Sequence, residues 1–400
     1  MNEHTSQQHR GISTPSLRTQ SLQPSQIRQI AEEGLQMDDV IPLWFGESAW
    51  ASPTLCIEKT VEAIRNGDCY YQANSGKPEL RDAICRYSSK RYKKSFDSRQ
   101  MTVTASGMQG LALSAQALIT PGDRVVTLGP SWPNAAEVFR ISGASIHAEN
   151  LQSSNGRWEL DLERFICALT PGTKAVLINS PNNPTGWAMT DEQQLCVLQH
   201  CRQLGIWIVA DDVYNRLYHH GEQAPSFLDH SEQEDRVISV NSFSKAWSMT
   251  GWRLGWLHAP AELEATLAML TEFNIAGPPG FIQTAGASML DDGEREIAVL
   301  KHRLADSFTV TKQRLIETDR VEFFEPDGAF YCFFRVDGIN NSMALAKNLL
   351  RKARVGLAPG TAFGVQGEGY LRLCYAKPVP IMNAALDRLN DGLKLSLKTP

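Results

Sequence analysis

The sequence predicts an α/β protein: a mostly parallel sheet covered on both faces by helices, with a smaller α+β domain beside it. Three observations predict it. From about residue 54, short apolar or β-branched runs alternate with helical patterns. Those runs are continuously apolar, as in parallel strands buried on both faces. From about residue 290 the pattern changes to a charged helix, a candidate hairpin and a closing helix–strand–helix run.

Residues 1–24 are rich in Ser, Thr, Gln and Arg and read as a loose arm. PSQIRQIAEEGLQ (24–36) reads as a short helix with Pro24 near its start, and residues 25–53 are assigned to the small domain. The large domain is expected over 54–289. It begins with PTLCIEKTVEAIRNG, a helix closed by Gly67, and PELRDAICRYSSKRY, a helix opened by Pro78. Six strands are expected: MTVTA (101–105), RVVTLG (124–129), ASIHAEN (144–150), KAVLIN (174–179), IWIVA (206–210) and RVISVN (236–241). GLALSAQALI and DEQQLCVLQHCRQLG are helices between them. Residues 290–400 complete the small domain. DGEREIAVLKHRLADSFTVTKQRLIET is a long helix, and VEFFEP with AFYCFFRV suggests a hairpin around Pro326-Asp327-Gly328. SMALAKNLLRKAR (helix), GYLRLCYA (strand) and a last helix follow.

Composition narrows the function. The 400 residues are 42% apolar with a net charge of −5, and neither a basic block nor a basic stripe occurs. That argues against nucleic acid or an anionic membrane as partner. No apolar run approaches the ~20 residues of a membrane helix, and MNEHTSQQHR is not a secretory signal. The eight cysteines form no C-x-x-C pair, which suits reduced thiols and a cytoplasmic location. The nine histidines lack metal-ligand spacing, so no metal is expected, and His219-His220 reads as a solvated helix end.

In open α/β sheets, ligands bind beyond the carboxyl ends of the strands. After MTVTA comes Ser106-Gly107-Met108-Gln109, opening a helix whose free N–H groups suit a phosphate. A merely tight helix entry would look the same. Trp132 stands between prolines after RVVTLG, as an aromatic plate or as core filler. Asn183 sits in the turn SPNNPTG, which is also plain turn chemistry. Asp211-Asp212-Val213-Tyr214 follows IWIVA. A carboxylate at a buried strand end is costly unless partnered, so one suits a helix cap and the other a cationic ligand. After RVISVN comes SFSKAWSMTGWRLGW, where Lys245 stands in apolar company with Arg253 eight residues on. Together these ends offer a phosphate seat, a plate, an amide, an acid with a phenol, and an amine. That set matches pyridoxal 5′-phosphate.

SPNNPTG, ADDVY and SFSKAWSMTGWRLGW resemble the fold-type I, pyridoxal-phosphate-dependent aminotransferases of class I/II. FGE, YQANSGKPELR, APGTAFG and YLRLCYA extend the resemblance over roughly residues 38–390. It implies a seven-stranded type of large sheet. It also implies that Lys245 bonds to the cofactor aldehyde and acts as catalytic base, and that Asp211 pairs with the ring nitrogen. Tyr214 and Asn183 would meet the phenolic oxygen, and Trp132 would stack on the ring. Gly107, Met108, Ser242, Ser244 and Arg253 would hold the phosphate. Arg372 would take the substrate α-carboxylate with Asn183 and the Gly46 backbone. Tyr71 would reach the phosphate of a neighbouring subunit in a homodimer.

The reaction so implied moves an amino group between an L-amino acid and a 2-oxo acid in two half-reactions. A carbon–sulfur lyase or a cyclopropane-forming synthase on the same fold is the alternative. Where the family often has G-E-P-D-F, this chain has GESAW (46–50). With Trp44, Phe45 and Trp50 close by in sequence, the entrance is expected either to favour aromatic or apolar substrates or to pack the arm.

Overall fold

In the computed structural model, residues 16–20 and 22–396 are described. Most of the expected arm therefore lies outside the described residues. The described part of it holds a helical turn, Leu17–Gln20.

The main sheet has seven strands: β1 (Met101–Thr104), β2 (Arg124–Gly129), β3 (Ser145–Asn150), β4 (Thr173–Asn179), β5 (Trp207–Asp211), β6 (Val237–Ser242) and β7 (Gly255–His258). Their spatial order is β1-β7-β6-β5-β4-β2-β3. Every pair is parallel except those that β7 makes with β1 and β6. Six strands match the apolar runs to within a residue. The seventh, GWLH, lies at the end of the lysine motif, is only four residues long and opens on a glycine, which weakens its β signal. β1, β6 and β7 are buried at every residue, as two-sided cover requires.

Four helices set the frame: α1 (Gln26–Gly34), α2 (Thr54–Arg65), α3 (Pro78–Tyr92) and α4 (Gly107–Leu118). α3 begins at Pro78 as expected, because proline lacks the N–H that the first turn leaves unused. α4 crosses beneath the sheet, with Gly110 set against Val240 and Leu257. Helices over Leu162–Ala168, Glu264–Ile275 and Gly280–Asp292 were not legible in the sequence. The last two meet in the segment TEFNIAGPPGFIQ (271–283), where the chain breaks at Ala276, whose φ of 55° is left-handed.

The second sheet is antiparallel: β8 (Val321–Glu322), β9 (Tyr331–Val336), β10 (Ala358–Pro359) and β11 (Tyr370–Cys374), in the order β8-β9-β11-β10. The expected hairpin exists, with Val321 opposite Val336, but Pro326-Asp327-Gly328 is not a tight turn. Instead it docks on the SPNNPTG loop, where the Asp327 and Gly328 N–H groups both donate to the Gly186 carbonyl at 2.9 Å. The loop thereby joins the two sheets. Ile41–Pro42 pairs in parallel with Val355–Gly356, and α1 contacts β10, so residues 26–42 pack with the second sheet. A 3₁₀ helix, Asn215–Leu217, ends two residues before His219, whose ring bonds to the Tyr375 hydroxyl and the Pro326 carbonyl.

Candidate active site

A cavity of about 520 Å³ opens where β5 and β6 end and the second sheet meets the first. Asp211 is the last residue of β5 and Ser242 the last of β6, one residue later than the sequence suggested. Lys245 lies in the turn that follows.

Lys245 Nζ donates to the Gly46 carbonyl at 2.6 Å. It lies 5.6 Å from the Tyr214 ring centroid and 5.9 Å from that of Phe330. Burial pulls its pKa down to about 8, and the Arg372 charge adds to the effect. About a tenth of the amine is thus unprotonated at pH 7, far more than for an ordinary lysine.

Asp211 is buried, and its Oδ1 has no hydrogen-bond partner among the described residues. Burial, followed by the neighbouring Asp212 charge, raises its pKa to about 7. Asp212 points to the other side of the sheet, where the Ser226 and Ser239 hydroxyls donate to its Oδ2 at 3.0 and 2.6 Å. Between them, the two acids divide the roles expected of the pair: one is satisfied by the protein and one is left open to a ligand.

Arg372 is 2% exposed and has no carboxylate partner among the described residues. Its Nη1 donates to Asn183 Oδ1 at 2.8 Å and its Nη2 to the Trp44 carbonyl. Its guanidinium lies over the Tyr331 and Phe363 rings, at 4.5 and 4.9 Å. Nε remains unpartnered. A buried cation without a counter-ion is costly, so this geometry calls for an anionic ligand.

The opposite end of the cavity is built to receive an anion. Ser106 caps α4 at a φ of 103°, turning the N–H groups of Gly107 and Met108 into the cavity mouth. Gly255 makes this possible: a Cβ there would lie 2.8 Å from the Gly107 nitrogen. Ser242, Ser244 and Arg253 line the same end, with Arg253 Nη1 3.4 Å from Ser244 Oγ.

Trp132 also lines the cavity, and its backbone N–H donates to the Asn183 carbonyl at 2.9 Å. Of the residues assigned a role toward cofactor or substrate, Tyr71 alone stands apart. It is 92% exposed and does not line this cavity.

Three residues escaped the sequence reading. Asn179 bridges two motifs: its Nδ2 donates to the Asp211 carbonyl and its Oδ1 accepts from the Asn183 N–H. Its place at a strand end beside SPNNPTG was the available signal. Tyr331 lines the cavity from β9, but AFYCFFRV reads as core. Arg28 of α1 lines the mouth, with its guanidinium 5.4 Å above the Phe45 ring. Of the expected entrance aromatics, Trp44 and Phe45 line the cavity and Trp50 does not. The Trp44 ring is wedged between Gly34 and Gly356, and Trp50 lies under Arg303.

Residues 39–389 match the class I and II aminotransferase family. The chain is 31% identical to an aspartate aminotransferase of Pyrococcus horikoshii, covering 92% of this chain and 95% of the relative. It is 29% identical to aromatic-amino-acid aminotransferase 2 of Thermococcus litoralis, covering 94% and 97%. Among solved structures, the aspartate aminotransferase of Thermotoga maritima superposes with a TM-score of 0.87 at 30% identity, over 95% of this chain and all of that one.

Proposed function

The chain belongs to the class I and II aminotransferases, and on that premise we propose that the Lys245 cavity holds pyridoxal 5′-phosphate and is the transamination site. The lyase alternative is not favoured, since the relatives are named as aminotransferases. One observation carries the reading. A buried arginine without a counter-ion, a buried carboxylate oxygen without a partner and a lysine of lowered pKa face one cavity.

The donor set fits the cofactor. Gly107 and Met108 N–H groups, Ser242, Ser244 and Arg253 would hold its phosphate. A helix terminus contributes only about 0.3–2 kcal/mol, so the arginine and hydroxyls are needed too. Asp211 would face the ring nitrogen, whose positive charge favours the ionised carboxylate over the half-protonated state of the bare site. Tyr214 and Asn183 would meet the phenolic oxygen and Trp132 the ring face.

When bound, the cofactor supplies an aldehyde that receives the substrate amino group and a ring that accepts the Cα–H electrons. Lys245 would hold the aldehyde between turnovers. Released by the substrate, its Nζ would take the proton from Cα as a base and deliver it, as an acid, to the carbon that had been the cofactor's aldehyde. Arg372 grips the α-carboxylate and so aims the Cα–H bond at Nζ. The aromatic walls from Tyr214, Phe330 and Tyr331 exclude water from the amine. An amino acid enters and a 2-oxo acid leaves. A second 2-oxo acid then reverses the sequence.

For the substrate side chain, Phe45 favours an aromatic or apolar donor. A second reading rests on Arg28, which has no ion pair among the described residues and would favour a donor carboxylate. The cofactor-loaded protein mixed with single amino acids, and no acceptor, should lose its visible absorbance and release one 2-oxo acid per site. Continuous release of pyruvate, ammonia or thiol would sink transamination. Loss of acidic donors alone in Arg28→Met would select the second reading.

Further parts of this proposal concern assembly and organisation. Exposed Tyr70, Tyr71 and Phe273 support a homodimer in which Tyr71 reaches the partner's phosphate. Eight free cysteines support a cytoplasmic location. Among the described residues no helix is long and apolar enough to cross a membrane. The chain is read as an arm (1–24), a large domain (54–289) and a small domain made of 25–53 and 290–400.

A further inference from the structure

Tyr331 belongs to no motif, yet it touches four parts of the site. Its hydroxyl lies 2.6 Å from the Tyr214 hydroxyl. Its ring lies 4.5 Å beneath the Arg372 guanidinium. A Cβ on Gly46 would fall 1.8 Å from its oxygen, so only glycine fits opposite it. The same Gly46 carries the carbonyl that holds Lys245 Nζ. Both tyrosines are buried and line the cavity.

Each phenol has one hydrogen to donate. No hydroxyl or side-chain acceptor other than Tyr214 lies within hydrogen-bond distance of Tyr331 among the described residues. If Tyr214 donated to Tyr331, the Tyr331 hydrogen would find no acceptor on the protein among the described residues, at the cost that buried unpaired donors carry. Tyr214 would then offer only lone pairs to the cavity. The reverse order pairs both hydrogens: Tyr331 donates to Tyr214, and Tyr214 donates into the cavity. Donation to an oxygen also polarises its own O–H and makes it the stronger donor.

We propose that Tyr331 is a positioning residue that orders the Tyr214 hydroxyl toward the phenolic oxygen of the cofactor. Its ring, lying under Arg372, links that hydroxyl to the group that receives the substrate carboxylate. The inference rests on the functional reading above. A better donor at Tyr214 stabilises the phenolic oxygen as an anion. The pH at which the cofactor's visible band changes is therefore held lower than it would be without Tyr331. The other titratable or charged groups around the pair are Lys245, Asp211, Arg372 and Cys374, with Glu47 beside Lys245, and the test variants leave all of them in place.

The experiment titrates the visible band of the cofactor-loaded protein with pH. Tyr331→Phe keeps the ring under Arg372 and should raise the midpoint by about 0.5 pH unit. In a Tyr214→Phe background the same change should move it little, because the coupling needs both hydroxyls. Gly46→Ala, whose methyl group displaces the Tyr331 hydroxyl from the other side, should shift the midpoint in the same direction. A band present but unmoved in Tyr331→Phe overturns the proposal. An equal shift in both backgrounds overturns it too, by showing a general packing effect. A protein that shows no cofactor band at all refutes the functional reading itself.

Discussion

Two recesses at opposite ends of the main sheet each hold a lysine of lowered pKa among aromatic rings. At the end where β5 and β6 finish, Lys245 faces Asp211, Arg372 and the α4 terminus. At the other end, where β6 begins, a recess of about 430 Å³ holds Lys94, Phe96 and His258. Lys94 Nζ lies 5.4 Å above the Phe96 ring and donates to the Ser231 carbonyl at 2.7 Å. Burial lowers the Lys94 pKa, and it drives that of His258 down to about 3. His258 Nε2 pairs with Ser88 Oγ at 2.7 Å, and Asp235 is taken up by Arg202. The difference lies in what is left over. In the second recess the buried carboxylate, Asp235, is paired by Arg202 and only the neutral His258 Nδ1 lacks a partner among the described residues, whereas in the first Asp211 Oδ1 and the Arg372 charge are both left to a ligand. A shifted pKa marks burial. An unpaired carboxylate opposite an unpaired guanidinium marks a site.

The sharpest way to break this contrast is to remove each lysine. Lys245→Ala should cut turnover by about 10²–10⁴-fold, the share of a rate that a general base supplies. Lys94→Ala should leave kcat and KM close to those of the wild type. Equal losses in a transamination assay would collapse the distinction. Arg372→Leu comes next. It should lower kcat/KM by about 10²–10³-fold, mainly through KM, because a buried charge-assisted contact is lost. Steady-state kinetics across amino donors would read it, and an unchanged KM would remove Arg372 from carboxylate binding.

A third test uses the lowered Lys245 pKa. Capture of the cofactor by the apo protein requires the uncharged amine. Its rate should rise about tenfold per pH unit at low pH and level off above about 8. A midpoint near the ordinary 10.5 would mean that burial does not tune this amine. The smallest effect concerns Asp212. Burial raises its folded-state pKa from 3.8 to about 6. The folded protein therefore binds a proton there that the unfolded chain has released, and this contribution to stability fades as pH rises from about 4 to about 6. Asp212→Asn should flatten that part of the stability curve in urea unfolding. An unaltered slope would show that Asp212 does not titrate in this window.

The strands and motif helices of the main sheet were legible because their signals are local. An apolar run, a glycine and a cap within ten residues describe a strand end and the helix that follows. The helices over Leu162–Ala168 and Glu264–Ile275 were not, because tertiary packing supports them rather than pattern. The hairpin was right in pairing and wrong in turn, since Pro326-Asp327-Gly328 satisfies its N–H groups on the Gly186 carbonyl instead. Asn179 and Arg28 were missed for a similar reason: each looks ordinary beside its sequence neighbours.

By itself the sequence determined which local groups gather at one end of the main sheet. Asp211 ends a strand, Lys245, Tyr214 and the Gly107 helix start each follow one, and parallel topology carries such ends to one edge of the sheet. Only the tertiary structure decided which of those groups touch and which further ones join them. Arg372 meets Asn183 from 189 positions away, and Tyr331 meets Tyr214 across 117. Those contacts depend on how the second sheet seats against the first. That seating is a sum of packing and hydrogen bonds between distant segments, and no local spacing encodes it.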